Sequence, residues 1–478
     1  MDQSSEDLQD VHLNSGDCGL QFSEEVSPTC LRELFETSFG EAPDEQRLCS
    51  AKRFGLISKD GSLVAGGVME IPTQDIAYLW LLAVAEPHRN AGLGGQLLQH
   101  LVNWCRANGF RAVRVKSYRR WQSMRLLLVR DGWAMISAEL SDWNDRVGEI
   151  WMKPLNKDRI PIVVIGGNPE GRGGEWAKTI LAAKAVWELR AVIDPDKAVQ
   201  EHWNAAGIKT CSNINELTDP EQIEAAIVAV PPKYCAAIQK NCFEHGWCTL
   251  AEKPLAASLS ELMKLQDYVL HHPARLVPGV QRRSHPSYVA LKAFLDGKHI
   301  SSLSIHIDLG KPRSRPTGHR ADTHLCRGGA LIDIGYHALD LAHFLLGEPL
   351  EMISCSLMDH GDLARGIESA ANLLGRAGKT WVRIMIDRHG NAKHESVTAQ
   401  TVDGNWFANR ERVLNPSGSE EYSCEGSWNL AETGRLAELA GYCGGKSTLP
   451  NDLWDHLALM EIIEAAYSLA SRLGVKSS

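Results

Sequence analysis

The chain has 478 residues, 44% apolar and 23% charged, an ordinary globular composition with length for about three domains. Its 50 basic and 59 acidic residues leave a formal charge of −9, which argues against nucleic acid or an anionic membrane as the main partner. Apolar runs fall short of the roughly 18–20 residues that span a bilayer, and 12 cysteines without a C-x-x-C pair read as reduced thiols of a cytoplasmic protein.

Residues 1–18 are acidic and lack an apolar stretch, so they read as a flexible leader and not a signal peptide. Two β-rich runs, 51–58 and 63–71, flank Asp60-Gly61, a hairpin signal. Residues 76–85 form a buried strand. Over 94–108, Leu97, Leu98, Leu101, Val102 and Cys105 fall on one helical face, and Gly109 stops the helix. A strand (111–118), a helix (122–132) and two strands (133–140, 148–155) complete a mixed α/β pattern with hairpins. The polar, basic stretch 155–160, ending against Pro161, marks a domain junction. Beyond it, the apolar strands IVVIGG, ELRAVID, IEAAIVAVPP and CTLAEKP alternate with helices, which predicts a parallel sheet covered on both faces. After about residue 283 longer alternating strands (301–310, 381–390, 395–404) predict a mostly antiparallel sheet, and 454–473 is an amphipathic helix. The chain is thus an α/β multidomain protein. Its expected parts are the leader, a mixed α/β domain (19–155), a Rossmann domain (160–282), and an α+β domain (283–478) whose last helix packs back on the Rossmann domain.

Arg89-Asn90-Ala91-Gly92-Leu93-Gly94-Gly95 lies between the strand 76–85 and the following helix. Glycines let a backbone approach a ligand, and a helix N-terminus offers free N–H groups and a positive dipole end, so this loop is a candidate diphosphate cradle. The R-x-x-G-x-G spacing and the order of elements over about 20–155 resemble the GNAT acetyltransferase superfamily. The resemblance implies that Arg89, Gly92, Gly94 and Gly95 hold the pyrophosphate of acetyl-CoA, and that the strand around Leu82 and Val84 pairs with the pantetheine. The family's frequent Tyr acid falls on Leu128 here, and its Asn on Trp121. Tyr118 stands nearby, and Glu70 and Glu86 are candidate bases for an amine.

The strand IVVIGG runs into an irregular glycine loop, with Gly166, Gly167 and Gly171 as candidates to meet phosphates. Asp194, 28 residues past Gly166, ends the second strand. An acidic group there accepts the adenosine ribose hydroxyl and repels a 2′-phosphate, which favours NAD over NADP. Pro231-Pro232 and Glu252-Lys253-Pro254 end two further strands, at the carboxyl edge of the sheet where ligands bind. In GGALIDIGYHALD (328–340), Asp333 and His337 are four apart, on one face of a helix and suited to acid/base work. E-K-P followed about 75 residues later by G-G-x-x-x-D-x-G-x-H-x-x-D resembles the Gfo/Idh/MocA oxidoreductases over about 160–475, with VQRRSHP (281–286 for QRRSHP) in support. The resemblance implies hydride transfer between a nicotinamide and a sugar, an inositol or a related hydroxyl compound. It makes Lys253 catalytic, gives Asp333 and His337 substrate-binding and acid/base positions, and puts Pro231, Glu252 and Lys253 beside the cofactor. Cys235 stands where the family often has His. Arg282, Arg283, Tyr336, Arg320 and His324 are candidate substrate contacts. Metal-ligand spacing is lacking: His271-His272 and the Asp333/His337 pair have no further ligands.

Two catalytic folds on one chain suggest neighbouring reaction steps. One pairing oxidises a (nucleotide-)sugar hydroxyl with NAD and acetylates the derived amino sugar. A second reduces an imine or ketone of a peptide- or siderophore-like metabolite and acylates an amine. A third makes the GNAT domain a non-catalytic sensor or dimerisation module. The open sheet of such oxidoreductases implies a homodimer or homotetramer with small-molecule substrates.

Overall fold

A computed structural model describes residues 20–72, 76–118, 120–140, 147–155, 159–184, 186–272, 275–311, 322–359, 367–390, 392–423, 429–443 and 453–472. The expected leader and Arg320 lie outside the described residues. The fold divides into two compact units, Met1–Pro72 with Ala77–Asn108, and Thr73–Ile76 with Gly109–Ser478.

The first unit holds β1 (Gln21–Ser23), α1 (Pro28–Phe39), α2 (Glu45–Ser50), β2 (Lys52–Ile57), β3 (Leu63–Glu70), β4 (Ile76–Val84) and α3 (Leu93–Ala107). The strands pair antiparallel in sequence order. Leu97, Leu98, Leu101, Val102 and Cys105 are all buried, as the helical spacing predicts. Leu31, Leu34 and Phe35 of α1 pack with Val68 and Ala83 in a second small core. The register of β4 slips opposite Val68 and Met69, so Trp80 is an extra residue on its strand. Such a bulge bends a strand and frees backbone groups beside a ligand.

The second unit begins with β5 (Ala112–Tyr118), α4 (Gln122–Arg130), β6 (Ala134–Leu140) and β7 (Val147–Pro154), with β7 paired antiparallel to both other strands. Six parallel strands follow: β8 (Ile160–Ile165), β9 (Trp187–Ile193), β10 (Thr210–Cys211), β11 (Ala225–Val228), β12 (Cys248–Glu252) and β13 (Arg275–Gly279). Their order, β10-β9-β8-β11-β12-β13, is the doubly wound arrangement with its switch point between β8 and β11. The helices α5 (Arg172–Ala182), α6 (Lys197–Ala205), α7 (Pro232–Glu244) and α8 (Leu259–His271) connect them. Two of these strands escape the sequence pattern. β10 has two residues, and β13 carries Pro278, which an edge strand tolerates because its N–H need not join the ladder.

The remainder holds α9 (Pro286–Leu295), β14 (Ile300–Leu309), α10 (Thr323–Cys326), α11 (Tyr336–Leu346), β15 (Leu350–Met358), β16 (Ala370–Ala377), β17 (Thr380–Asp387), β18 (Lys393–Thr401), β19 (Gly404–Ala408), β20 (Arg412–Leu414), β21 (Glu420–Ser423), α12 (Asn429–Tyr442) and α13 (Trp454–Arg472). The eight strands form one sheet, antiparallel except where β14 runs parallel to β17. Leu436, Leu439 and Ala440 of α12 enter the core under β8, β9 and β12 together with Trp176 and Trp203. Glu464 of α13 accepts the N–H of Leu259 at the start of α8 at 2.9 Å. The β5–β7 strands are tied into this same unit. Arg111 donates to the carbonyl of Cys443, and the Tyr422 hydroxyl reaches the buried Glu149 at 3.3 Å.

The ten described cysteines are free thiols. Among the described residues no helix is long and apolar enough to cross a membrane.

Candidate functional sites

The glycine loop is more regular than its sequence suggests. Gly166 ends β8 with φ +86°, and Gly171 is the N-cap of α5. Gly166-x-Asn168-x-x-Gly171 therefore has the spacing of the dinucleotide turn, with Asn168 in place of the middle glycine. A Cβ at Gly173 would overlap the Gly166 carbonyl oxygen, so this glycine permits close helix–strand packing. The Asn168 side chain folds back to accept the Glu170 N–H at 3.0 Å, and its carbonyl accepts the N–H of Gly171 at 2.9 Å and of Gly174 at 3.0 Å. Gly167 is fixed twice. Its N–H donates to Asp194 Oδ2 at 2.9 Å, and its carbonyl accepts from Trp203 Nε1 at 2.7 Å. Asp194 also accepts the Asp196 N–H at 3.0 Å, and burial raises its pKa. Each carboxylate oxygen can accept more than one bond, so Asp194 can serve a ribose hydroxyl as well. Gly171 gives α5 no side-chain cap, which leaves the helix start open to an anion. The arrangement fits a dinucleotide. Pro231 caps α7 across the switch point. Cys235 is buried with its thiol pushed up to about 12 by burial, so it supplies packing and not a titrating contact.

Glu252 is engaged within the protein. It is 6% exposed, and its Oε1 accepts from Arg172 at 3.0 and 2.9 Å, Trp176 at 2.8 Å and Gln281 at 3.2 Å. Arg172 also pairs with Glu432 of α12 at 2.6 Å. This network clamps the end of β12, which carries Lys253. The ammonium of Lys253 donates to the Asp333 carbonyl and, at 3.0 Å, to Asp333 Oδ1. Arg388, one residue past β17, reaches Asp333 Oδ2 at 3.5 Å.

Asp333 sits in a π-helical turn, Leu331–Gly335, that leads into α11. The expected single α-helical face for Asp333 and His337 is thus modified, because the wider turn resets the spacing before Tyr336. The turn is anchored by Glu368, which accepts the N–H of Gly329 at 3.0 Å and of Leu331 at 2.8 Å, and the Tyr467 hydroxyl at 2.9 Å. A Cβ at Gly329 would overlap the Glu368 backbone, which accounts for one glycine of the motif. His337 keeps partial exposure while its Nδ1 is buried without a hydrogen-bond partner. Burial, then the nearby charges of Lys253 and Arg282, hold its pKa well below the ordinary value against the pull of Asp333. The imidazole is therefore neutral near pH 7.

The other candidate contacts are engaged within the protein. Arg282 is 3% exposed and forks onto Glu395 at 3.0 and 2.7 Å. Burial opposes the charge on Glu395, but Arg282 and Arg410 overcome it and hold its pKa below the usual carboxylate range. Arg283 pairs with buried Asp340 and with Asp455 at 3.1 Å. Tyr336 has no exposed surface, and its hydroxyl meets His456 Nδ1 at 2.7 Å. These side chains are engaged in buried charge and hydroxyl pairing, which residue type alone does not reveal. His324 lies exposed on α10. Arg172, Glu368 and Arg388 belong to no motif, and Gln281 opens QRRSHP without being singled out there. Arg172 was the readable one, since it opens the helix after the glycine loop. Among the described residues no group of three or more His, Cys, Asp or Glu side chains is placed to hold a metal ion.

In the first unit, α3 starts at Gly92 (φ +79°) without a side-chain cap, preceded by Asn90 at φ 64°. Arg89 Nε donates to the Val84 carbonyl at 3.2 Å, which holds the basic side chain against the end of β4. Gly94 and Gly95 open the helix. The uncapped helix start and the bulged β4, with Leu82 and Val84 beside the bulge, fit acetyl-CoA. Glu70 is gripped by Arg47 through two bonds of 2.6 Å, and the same guanidinium lies 4.0 Å over the Trp80 ring. That engagement competes with a role for Glu70 as a free base. Glu86 is exposed. In the second unit Leu128 is fully buried in α4, Trp121 is the N-cap of that helix, and Tyr118 ends β5.

Comparison with known proteins matches three stretches of the chain to family models. Residues 21–120 match the acetyltransferase (GNAT) family, residues 160–280 the oxidoreductase family with the NAD-binding Rossmann fold, and residues 290–399 the GFO/IDH/MocA C-terminal domain. Inositol 2-dehydrogenase 2 of Saccharopolyspora erythraea is 27% identical over 200 residues, 40% of this chain and 56% of that protein. The dTDP-3,4-didehydro-2,6-dideoxy-alpha-D-glucose 3-reductase of Streptomyces violaceoruber is 27% identical over 186 residues, 38% of this chain and 52% of that protein. The chain thus spans about half the length of the curated relatives it matches. Among solved structures, GenD2 from gentamicin A biosynthesis in complex with NAD aligns with a TM-score of 0.56 at 19% identity, over 66% of this chain and 95% of that one. KijD10, a 3-ketoreductase from Actinomadura kijaniata in complex with NADP and TDP-benzene, aligns with a TM-score of 0.56 at 17% identity, over 65% and 98%. At these identities the structures speak to the fold.

Proposed function

We propose, for a chain that joins a GNAT acetyltransferase domain to the NAD-binding and C-terminal domains of the Gfo/Idh/MocA oxidoreductases, a bifunctional biosynthetic enzyme. One half oxidises a hydroxyl of a (nucleotide-)sugar to a ketone with NAD. The other acetylates the amine of an amino sugar from acetyl-CoA. The observation that carries the redox half is the assembly of Lys253, Asp333 and His337 at the carboxyl edge of the doubly wound sheet.

Gly166, Gly171 and Asp194 would hold the dinucleotide, whose nicotinamide would supply the acceptor for the hydride. The protein handles the proton and the geometry. The Lys253 ammonium, steadied by Asp333, donates a hydrogen bond to the reacting oxygen. His337 is neutral at pH 7 and so can accept the hydroxyl proton as the C–H bond breaks. In the acetyl half, a buried Leu128 offers no acid for the departing thiolate. Transfer there rests on positioning the amine against the thioester, which is a large effect in its own right.

The test is a purified chain supplied with NAD and a panel of nucleotide sugars, hexose phosphates and free sugars, read as NADH absorbance. Release of free CoA from acetyl-CoA is read with the matching amino sugars. NADH growth with a nucleotide sugar supports the proposal. A flat trace across the panel favours the reductive reading, an imine or ketone reduced by NADH, to which the 3-reductase and 3-ketoreductase names of two similar proteins lend weight. Failure of every amine to elicit CoA release favours a sensor or dimerisation role for the GNAT domain, motivated by Leu128.

Asp194 carries the preference for NAD. Asp194→Asn keeps an acceptor for the ribose but removes the charge that repels a 2′-phosphate. It is expected to narrow the preference for NAD over NADP by about tenfold, or about 1.4 kcal/mol. Fluorescence titration with NADH and NADPH checks this, and an unchanged ratio would remove Asp194 from the discrimination. We also propose self-association as a homodimer or homotetramer through the face of the large sheet that carries Leu374, Arg383 and Trp381. Leu374 and Trp381 are exposed there.

A further inference from the structure

The Asp333 carboxylate is shared. Lys253 Nζ holds Oδ1 at 3.0 Å, and Arg388 Nη1 approaches Oδ2 at 3.5 Å. The two cations come from opposite domains, one from the end of β12 and the other from the end of β17. Arg388 is not on a loose loop. Its N–H donates to the Ser369 carbonyl at 3.0 Å, and its own carbonyl accepts the Lys311 N–H at 3.0 Å. The next residue is fixed as well, with the His389 N–H on Asp387 Oδ1 at 2.8 Å. The backbone that carries the guanidinium is therefore anchored on both sides, and the side chain is 12% exposed. Arginine keeps its charge at any working pH, so this cation is a constant of the site, whereas Lys253 is a group that can exchange a proton.

We propose that Arg388 is a positioning residue of the oxidoreductase centre, which through the shared Asp333 carboxylate sets how tightly Lys253 holds its proton and where its ammonium points. The inference rests on the reading of Lys253 as the group beside the reacting oxygen. A carboxylate engaged by one cation attracts a second one less, and a fixed positive charge across it favours release of the proton from Lys253. Other charged groups near this site, among the described residues, are engaged. Glu252 on β12 is bound by Arg172 of α5, Trp176 and Gln281. Arg282, in the turn after β13, is forked onto Glu395, and His337 on α11 is neutral near pH 7. Arg388 is then the fixed charge whose removal acts on Lys253 through a single intermediary.

The test uses the full chain with NAD bound and measures Lys253 directly. Acylation of the Lys253 amine by an activated ester is followed by mass spectrometry from pH 6 to 11, beside the pH dependence of kcat. Arg388→Met is expected to move the Lys253 labelling midpoint upward by about one pH unit and to carry the alkaline limb of the kcat profile with it. Arg388→Lys keeps the charge and is expected to stay within about 0.3 unit of the wild type. Arg388→Gln serves if the methionine variant folds poorly, and retained NAD binding reports an intact sheet. Labelling midpoints of Arg388→Met or Arg388→Gln that coincide with the wild type overturn the inference, as does an Arg388→Lys midpoint displaced as far as theirs. Labelling needs no turnover. A chain that proves inactive on every alcohol and ketone, yet shows the displaced midpoint, retires the redox reading and keeps the Arg388–Asp333–Lys253 coupling.

Discussion

Lys253→Ala is expected to lose about 10³-fold in kcat for hydride transfer while NAD still binds, since a positioned proton-handling group contributes roughly 10²–10⁴-fold. Lys253 follows directly on β12, and its ammonium sits on both the carbonyl and the carboxylate of Asp333. Binding of the dinucleotide depends on other parts, the Gly166–Gly171 turn and Asp194. These are built from β8, α5 and β9 and do not touch the lysine side chain through any bond described above. The truncated site also stays folded. Asp333 keeps its pairing with Arg388, so the carboxylate is not stranded, and Glu252 keeps Arg172, Trp176 and Gln281. The measurement is a stopped assay of NADH formation beside a titration of NADH fluorescence. Turnover near the wild-type rate would mean that the reacting oxygen lies elsewhere. Loss of turnover together with loss of NADH binding would mean that Lys253 supports the cofactor crevice more than the chemistry.

Which parts of this arrangement the sequence discloses follows from the range of the interactions. Lys253 and Asp333 are found from E-K-P and the glycine-rich GGALIDIGYH because each motif combines a strand or helix boundary with a charged group. Strand-end and helix-start chemistry is local. The apolar strands β8 and β11 are legible for the same reason, since a strand buried on both faces needs apolar residues at nearly every position. Glu368 is invisible in this way. It lies 35 residues beyond Asp333 in a stretch with no motif, and it matters because it accepts the N–H groups of Gly329 and Leu331 across the sheet. Arg388 reads as the end of an alternating strand, with nothing to say that its side chain reaches Asp333. Tyr336 and Arg283 have partners that residue type does not disclose. Polar residues beside a catalytic motif suggest substrate contacts, yet both satisfy buried partners, His456 and Asp340. The glycine loop appears irregular until Asn168 is seen to stand at the middle position, its side chain turned back on the Glu170 N–H. A pattern search for three glycines has no means of anticipating that. Composition likewise gives no sign that α12, after the large sheet in sequence, supplies Leu436, Leu439 and Ala440 to the Rossmann core.

Folding stability is expected to fall steeply as the pH drops from about 6.5 toward 4.5, because three histidines are buried in their neutral form. His285 and His456 are 1% and 2% exposed. Burial pushes each down to about 4, outweighing the pull of Glu395 on the first and of Asp340 on the second. His337 is lowered in the same direction, by burial first. In the unfolded chain each ring takes up a proton near 6.5, while the folded chain refuses it, so the unfolded state binds more protons throughout this window. Each such group costs roughly 1.4 kcal/mol per pH unit below 6.5 until its folded pKa is reached. Three carboxyls oppose the trend in part. Burial raises Asp194, Glu149 and Glu368, so their protonation at lower pH relieves a buried charge. Glu395 adds nothing in this window, because its lowered pKa places its contribution below the ordinary carboxylate range, where acid removes it. Thermal unfolding at pH 8, 6.5, 5.5 and 4.5 is the measurement, with Tm expected flat between the first two and falling over the rest. His456→Gln removes one titrating ring and leaves a polar partner for the Tyr336 hydroxyl, so the decline should become shallower by about one group's share. A Tm independent of pH down to 4.5 would show that these rings accept protons in place. A decline unchanged by His456→Gln would move its source to His285, His337 or the carboxylate pairs.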